Sequence, residues 1–157
     1  MESVKKRKAG LVISQDVAVK LSQIPNIGLR QYYVHSLIKS YGLLDKFKCI
    51  PVTKASTEDL LAFHSRDYVA TLARASGGDQ ELEEAGLGYD CPVLEDTDML
   101  DWARTVAGAA LAAASSLVTG DLDTVLHWGG GWHHAHRDTA AGFCYVNDIV
   151  LAIHKLQ

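Results

Sequence analysis

The sequence predicts an α/β fold, a mainly parallel sheet flanked by helices, and three observations carry that expectation. Short apolar runs of strand length recur at Leu11-Val12-Ile13, Cys49-Ile50-Pro51-Val52 and Thr124-Val125-Leu126-His127-Trp128. Segments with apolar residues at helical spacing lie between and after them. A length of 157 residues is enough for one domain with its own core.

Taken in order, residues 1–8 are expected to form a disordered lead and 9–157 the N-terminal part of one domain. Leu11-Val12-Ile13 reads as a buried strand, and Ile24-Pro25-Asn26-Ile27-Gly28 as a turn. Leu29, Tyr33, Leu37 and Tyr41 mark a helix that Gly42 stops. Pro51 cannot donate to a ladder, so the second strand is expected at an edge. Ser56 caps the next helix with Asp59 as its acidic partner, and Leu61, His64, Tyr68 and Leu72 form its inward face. Gly77-Gly78-Asp79 ends that unit. Residues 76–96 read as a long irregular segment, which inside a domain is usually functional or mobile. Thr97 or Asp96 then caps a long helix to about Val118, closed by Gly120. Its small residues (Gly108, Ala109, Ala112, Ala113) permit close packing. After the third strand and Gly129-Gly130-Gly131, a last helix starts at Asn147 or Asp148, with Ile149, Ala152, Ile153 and Leu156 in one stripe. No strand follows it, so the alternating pattern reads as incomplete at the C-terminus.

Composition narrows the class. Hydrophobic content of 48% and charged content of 22% fit a globular chain rather than a disordered one. A net charge of −4 argues against nucleic acid as a direct partner. The basic run Lys5-Lys6-Arg7-Lys8 reads either as a solvated tail or as a nuclear-import patch. The longest apolar run, Val106 to Ala114, is far short of the roughly 18 residues of a membrane span. No apolar secretory core follows the N-terminal charges, and Cys49, Cys91 and Cys144 are odd in number and widely spaced. Both features suggest reduced thiols in the cytosol or nucleus.

The chemistry concentrates at Trp128-Gly129-Gly130-Gly131-Trp132-His133-His134-Ala135-His136, running on to Gly142-Phe143-Cys144-Tyr145. This follows the C-terminal end of a strand, where α/β sheets place ligands. Glycines allow a substrate to approach the main chain, and two adjacent histidines suit proton transfer. Three readings stay open on the residues alone. The histidines are a polar surface loop, or metal ligands with His127, His136 or Cys144, or an acid–base pair beside a metal held elsewhere.

Several segments then resemble one family. Gly130-Gly131-Trp132-His133-His134-Ala135 and Gly142-Phe143-Cys144-Tyr145-Val146-Asn147-Asp148 resemble the tandem-histidine segment of class I zinc-dependent histone deacetylases. Gly86-Leu87-Gly88-Tyr89-Asp90-Cys91-Pro92 resembles their substrate rim, and Val34-His35-Ser36-Leu37-Ile38 and Phe63-His64-Ser65 with Tyr68 resemble their first two helices. The resemblance runs from about Leu11 to Gln157. It implies an arginase/deacetylase-like fold and zinc-dependent (or other divalent-metal) hydrolysis of acetyl-lysine in histones or other acetylated proteins, in nucleus and cytoplasm. By the same resemblance His134 is the general base and His133 its electrostatic partner. Asp90 binds substrate N–H groups, Gly142 and Phe143 wall the acetyl-lysine tube with the Gly142 carbonyl facing substrate, and Arg30 and Trp132 line an internal pocket. Without it, Asp90 is a turn residue, Phe143 core and Arg30 an exposed helix residue, while His35 and His64 read as structural either way. Cys91 and Cys144, beside Asp90 and Phe143, form a candidate regulatory pair. His136-Arg137 stands where close relatives carry two lysines. The metal-holding side chains and the carboxylates that orient the histidines are expected beyond Gln157, so the isolated chain is expected to be inactive and to hold no zinc. Two alternatives accompany this: a non-catalytic short variant that binds deacetylase partners, and deacylation of small amines such as polyamines.

Overall fold

The computed structural model describes residues 7–25, 27–75, 80–88 and 90–157. Lys5, Lys6, Asn26, Gly77-Gly78-Asp79 and Tyr89 lie outside the described residues.

Three parallel strands, β1 (Ala9–Val12), β2 (Lys48–Ile50) and β3 (Thr124–Leu126), form one sheet in the order β2-β1-β3. Leu11 pairs with Cys49 on one side and Leu126 on the other, and Leu11 and Val12 are buried as a central strand requires. The ladder continues backwards: Lys8 N–H donates to the Asp123 carboxylate at 2.8 Å and Asp123 N–H to the Lys8 carbonyl at 2.9 Å. β2 is an edge strand that ends just before Pro51, as the missing N–H predicts. β3 is two residues shorter than the apolar run, because the chain turns away after Leu126.

Helices α1 (Gln15–Ser22), α2 (Arg30–Ser40), α3 (Thr57–Leu61), α4 (Arg66–Arg74), α5 (Gln80–Glu84), α6 (Met99–Val118) and α7 (Asp148–Leu156) complete the fold. Helix α6 is its spine, packed on the sheet and against α1, α4 and α7. Trp102 within it is fully buried, meets Trp132 and Tyr145 edge-on at 6.0 and 5.1 Å, and donates its indole N–H to the Lys20 carbonyl at 2.8 Å. Gly108 is needed for contact: a Cβ there would lie 2.1 Å from the Thr53 carbonyl oxygen.

Several expectations require correction. Helix α1 was not anticipated; Ser14 caps it, and Val17, Ala18 and Leu21 are buried. The segment after Ser56 is two helices rather than one. Ser56 and Asp59 form the expected capping box, but Ser65 donates its backbone N–H to the Arg137 carbonyl and caps a new helix through Tyr68 N–H. His64, Tyr68 and Leu72 do face inward, with Leu60 rather than Leu61 as the fully buried leucine. The irregular 76–96 segment contains α5, and Asp98, not Thr97 or Asp96, caps α6.

Two apolar stripes face solvent. In α2, Leu29, Tyr33, Leu37 and Tyr41 are all at least half exposed, and the buried residue is Gln31. The reason is local: α2 rests against the glycine turn through Gln31, whose amide bonds the His35 ring at 2.7 Å beneath Gly129. In α7, Asp148 and Leu151 are buried, while Ile149, Ile153 and Leu156 border an open groove with Ala113, Leu117 and Val125.

Candidate active site

The two adjacent histidines and the turn they pack against sit between the end of β3 and the start of α7. The chain leaves β3, makes a turn at Trp128-Gly129, and tucks Trp132 into the core, where its indole N–H donates to the Gly129 carbonyl at 2.8 Å. Burying Trp132 leaves the next two side chains outside. The rings of His133 and His134 lie 4.2 Å apart, tilted by 36°, and both residues are exposed. The His133 Nδ1 lies 2.9 Å from the Gly131 carbonyl oxygen, which can only accept, so a hydrogen bond there has Nδ1–H as its donor.

His134 packs against a second tight turn. Ala141 and Cys144 exchange backbone hydrogen bonds (3.2 and 2.8 Å), with Gly142 at φ +54° and Phe143 at φ +63° between them. Left-handed geometry at both central residues is the type I′ pattern, which glycine accepts and phenylalanine resists. A Cβ on Gly142 would fall 2.8 Å from His134 Cγ, so glycine is required for the ring to sit there. Asp90, half-buried, accepts the Gly142 N–H at 2.7 Å and so ties the 86–92 loop to this turn. The Gly142 carbonyl lies 3.4 Å from the Cys144 thiol.

The structure brings His134, Gly142, Arg30 and Trp132 to the wall of one cavity of about 190 Å³, with Gln31 and Cys144. His133 and Phe143 lie outside that wall, and Asp90 lines a separate surface groove with Glu83, Gly86 and Gly88. His64 is buried: Asn147 N–H donates to its Nε2 at 3.1 Å, and its Nδ1 meets the Arg137 carbonyl at 3.2 Å. Desolvation lowers its pKa, with backbone bonds to Arg137 and His136 and the charge of Asp138 opposing.

One residue escaped the sequence reading, and another, His127, was read there only as a candidate metal ligand. Asp148, read there only as a possible cap, is 2% exposed, and its carboxylate accepts the Gly131 and Trp132 N–H groups. Burial pushes its carboxyl up, against the pull of those N–H groups. His127 is tucked below the glycines with no hydrogen-bond partner for either ring nitrogen among the described residues, and desolvation, then His35, brings its pKa down to about 4. The available signal was the sequence Asn-Asp at a helix start, where one side chain caps and the other is spare.

Cys91 and Cys144 are both buried free thiols, with the Cys91 Sγ 3.9 Å from the Cys144 carbonyl. Burial pushes Cys91 up to about 12 and Cys144 in the same direction. Zinc needs three or four ligands, and among the described residues no group of three His, Cys, Asp or Glu could hold a metal. The described residues therefore do not fit a metal site by themselves.

Residues 27–157 match the family described as "Histone deacetylase domain", and the chain belongs to that family. It is similar to histone deacetylase 8 of Danio rerio, with 45% identity covering 87% of this chain and 36% of that protein. It is similar also to histone deacetylase 8 of Xenopus tropicalis (44%; 87% and 37%) and to probable histone deacetylase 1-A of Xenopus laevis (38%; 78% and 26%). The chain thus spans little more than a third of the length of the two histone deacetylase 8 relatives and about a quarter of the third.

Proposed function

We propose that this chain carries the proton-transfer and substrate-rim part of a protein lysine deacetylase site, acting on acetylated histones or other acetylated proteins in the nucleus and cytoplasm. The supporting observation is the adjoining His133–His134 pair with His134 on the wall of the cavity that Arg30, Trp132 and Gly142 also line. In this reading the His134 imidazole takes a proton from the water that adds to the acetyl carbonyl. It returns that proton to the lysine nitrogen as the C–N bond breaks, and His133 stabilises the charge in between. Phe143 beside the cavity flanks the acyl-lysine stem. Asp90 holds the rim against Gly142 and turns its remaining acceptor capacity to substrate N–H groups. Zinc, which in this family polarises the carbonyl, would have to be held by residues other than those described, and the isolated chain is expected neither to retain zinc nor to turn over.

A chimera tests this directly: residues 9–157 replace the corresponding part of the Danio rerio relative. It should release acetate from an acetyl-lysine peptide, and His134→Ala should lower the rate by about 100-fold or more. A folded chimera without activity, or one indifferent to His134→Ala, overturns the assignment. Stoichiometric zinc and turnover in the isolated chain would refute its expected inactivity. A non-catalytic binding role is favoured by one observation, the exposed apolar rows of α2 and α7. It predicts an inactive chimera and a chain that captures a deacetylase partner.

A further inference from the structure

We infer that His64 is a positioning residue for the proton-transfer pair: it fixes the peptide of Asn147, and Asn147 in turn grips the carbonyls of the residues on either side of His134. The inference rests on the reading of His133 and His134 as that pair.

Three observations carry it. First, the geometry around His64 admits one form of its ring. His64 lies in the turn between α3 and α4, its own N–H donating to the Leu60 carbonyl at 2.9 Å. The backbone N–H of Asn147, which can only donate, meets Nε2 at 3.1 Å, so Nε2 keeps its lone pair. The Arg137 carbonyl, which can only accept, lies 3.2 Å from Nδ1, so Nδ1 supplies the proton. The neutral Nδ1–H ring is the form that satisfies both. Its surroundings favour that form. The residue is 3% exposed, and Phe63 and Tyr68 lie against the ring at 4.9 and 5.3 Å between centroids. Desolvation outweighs the backbone bonds and Asp138 and lowers its pKa.

Second, what His64 holds is the residue that holds the histidine segment. The Asn147 Oδ1 accepts the Val150 N–H at 3.1 Å and so caps α7. Its side-chain amide donates to the Ala135 carbonyl at 2.9 Å and to the His133 carbonyl at 3.4 Å. Those residues stand immediately before and after His134. The amide plane can serve α7 and both carbonyls together in one orientation, and the bond to His64 sets the peptide from which it projects. The order is imidazole of His64, Asn147, backbone of His134.

Third, His64 joins the two ends of the segment that packs on His134. Arg137 and Asn147 bracket the Gly142 turn, where a Cβ on Gly142 would fall 2.8 Å from His134 Cγ, and His64 bonds to both ends at once. Two neighbouring ties do not involve its ring. Ser65 N–H donates to the Arg137 carbonyl at 3.1 Å, and the Tyr68 hydroxyl to the Tyr145 carbonyl at 2.8 Å. Those ties hold the segment in place, which leaves the His64 ring the finer task of aligning Asn147. A buried imidazole costs more to desolvate than an apolar ring, and filling the core alone needs neither of its bonds.

The test uses the whole chain and NMR. In the unchanged protein nitrogen-15 shifts should place the neutral proton of His64 on Nδ1, and the Asn147 amide should exchange about tenfold or more slowly than unbonded amides. Three substitutions separate the bonds. His64→Gln offers a carbonyl oxygen that can reach the Asn147 N–H. His64→Asn is shorter, keeps a donor for the Arg137 carbonyl and leaves the Asn147 N–H unbonded. His64→Phe fills the space and makes neither bond. Asn147 exchange should quicken about tenfold or more in His64→Asn and His64→Phe and stay slow in His64→Gln, and the His134 ring signals should move in the same order. A role confined to filling the core would make His64→Phe the mildest of the three. That ranking, His134 signals that stay in place in all three, or an Nε2–H ring in the unchanged protein overturns the inference. If no variant folds, the unchanged protein decides: a slow Asn147 amide beside an Nδ1–H ring supports the inference, and a fast one or an Nε2–H ring overturns it. None of these readouts needs turnover, so an inactive chimera would sink the proton-transfer reading and leave the His64 result to be decided by the spectra.

Discussion

His127 gives the chain an acid-sensitive point whose size follows from its surroundings. The ring lies beneath Gly130, where an added Cβ would come 2.6 Å from His127 Cδ2, and neither nitrogen finds a partner among the described residues. Desolvation is the larger cause of its lowered pKa and the neighbouring His35 the smaller, taking it from 6.5 to about 4. The sign follows from proton binding. The folded ring stays neutral while the unfolded ring protonates below 6.5, so acid favours the unfolded state. Stability from this group is fully present above the unfolded pKa and is lost progressively as pH falls from 6.5 toward 4. A shift of that size is worth about 3 kcal/mol at the acid end of the window. His127→Leu removes the titration and an unsatisfied polar ring, so it should raise stability at pH 7.5 by about 1 kcal/mol. Urea unfolding of both proteins between pH 7.5 and 4.5 checks this. Other groups also contribute to the wild-type slope: His35 and His64 in the same sense, and Asp148, whose raised carboxyl acts in the opposite one. The difference between the two proteins isolates His127. If the gap in stability stays constant across that range, or if the ring titrates near 6.5 in the folded chain, the reasoning is wrong.

Gly142→Ala places a side chain at φ +54° and presses it against His134, so it should cost about 1–2 kcal/mol and displace the His134 ring signals; thermal unfolding and NMR report both, and an unperturbed ring would contradict the packing. Thiol labelling at neutral pH should modify exposed Cys49 first and leave Cys91 and Cys144 protected until unfolding, because both are buried and their thiols are pushed upward. Equal rates at all three, or a Cys91–Cys144 disulfide forming readily under mild peroxide, would show that the site mouth opens far more than its packing implies.

What the sequence by itself determined was whatever depends on neighbours along the chain. The β-α alternation, the Ser56–Asp59 capping box, Gly42 and Gly120 as helix stops, and the edge position of the strand before Pro51 are all local effects, and all are present. The tandem-histidine motif was equally legible, since its glycines and adjacent imidazoles are contiguous. Tertiary structure decided which helix face is buried. The row Leu29, Tyr33, Leu37 and Tyr41 marked the helix by its spacing, yet the residue buried against the glycine turn is Gln31, because periodicity gives a stripe but not the neighbour that will cover it. It also decided where one helix became two, at a serine held by a carbonyl 72 positions away in the chain, Ser65 to Arg137. Above all it decided the role of Asp148. A helix-cap signal is indistinguishable in sequence from a carboxylate that reaches back to the histidine turn, and only the fold brings that turn within 2.7 Å.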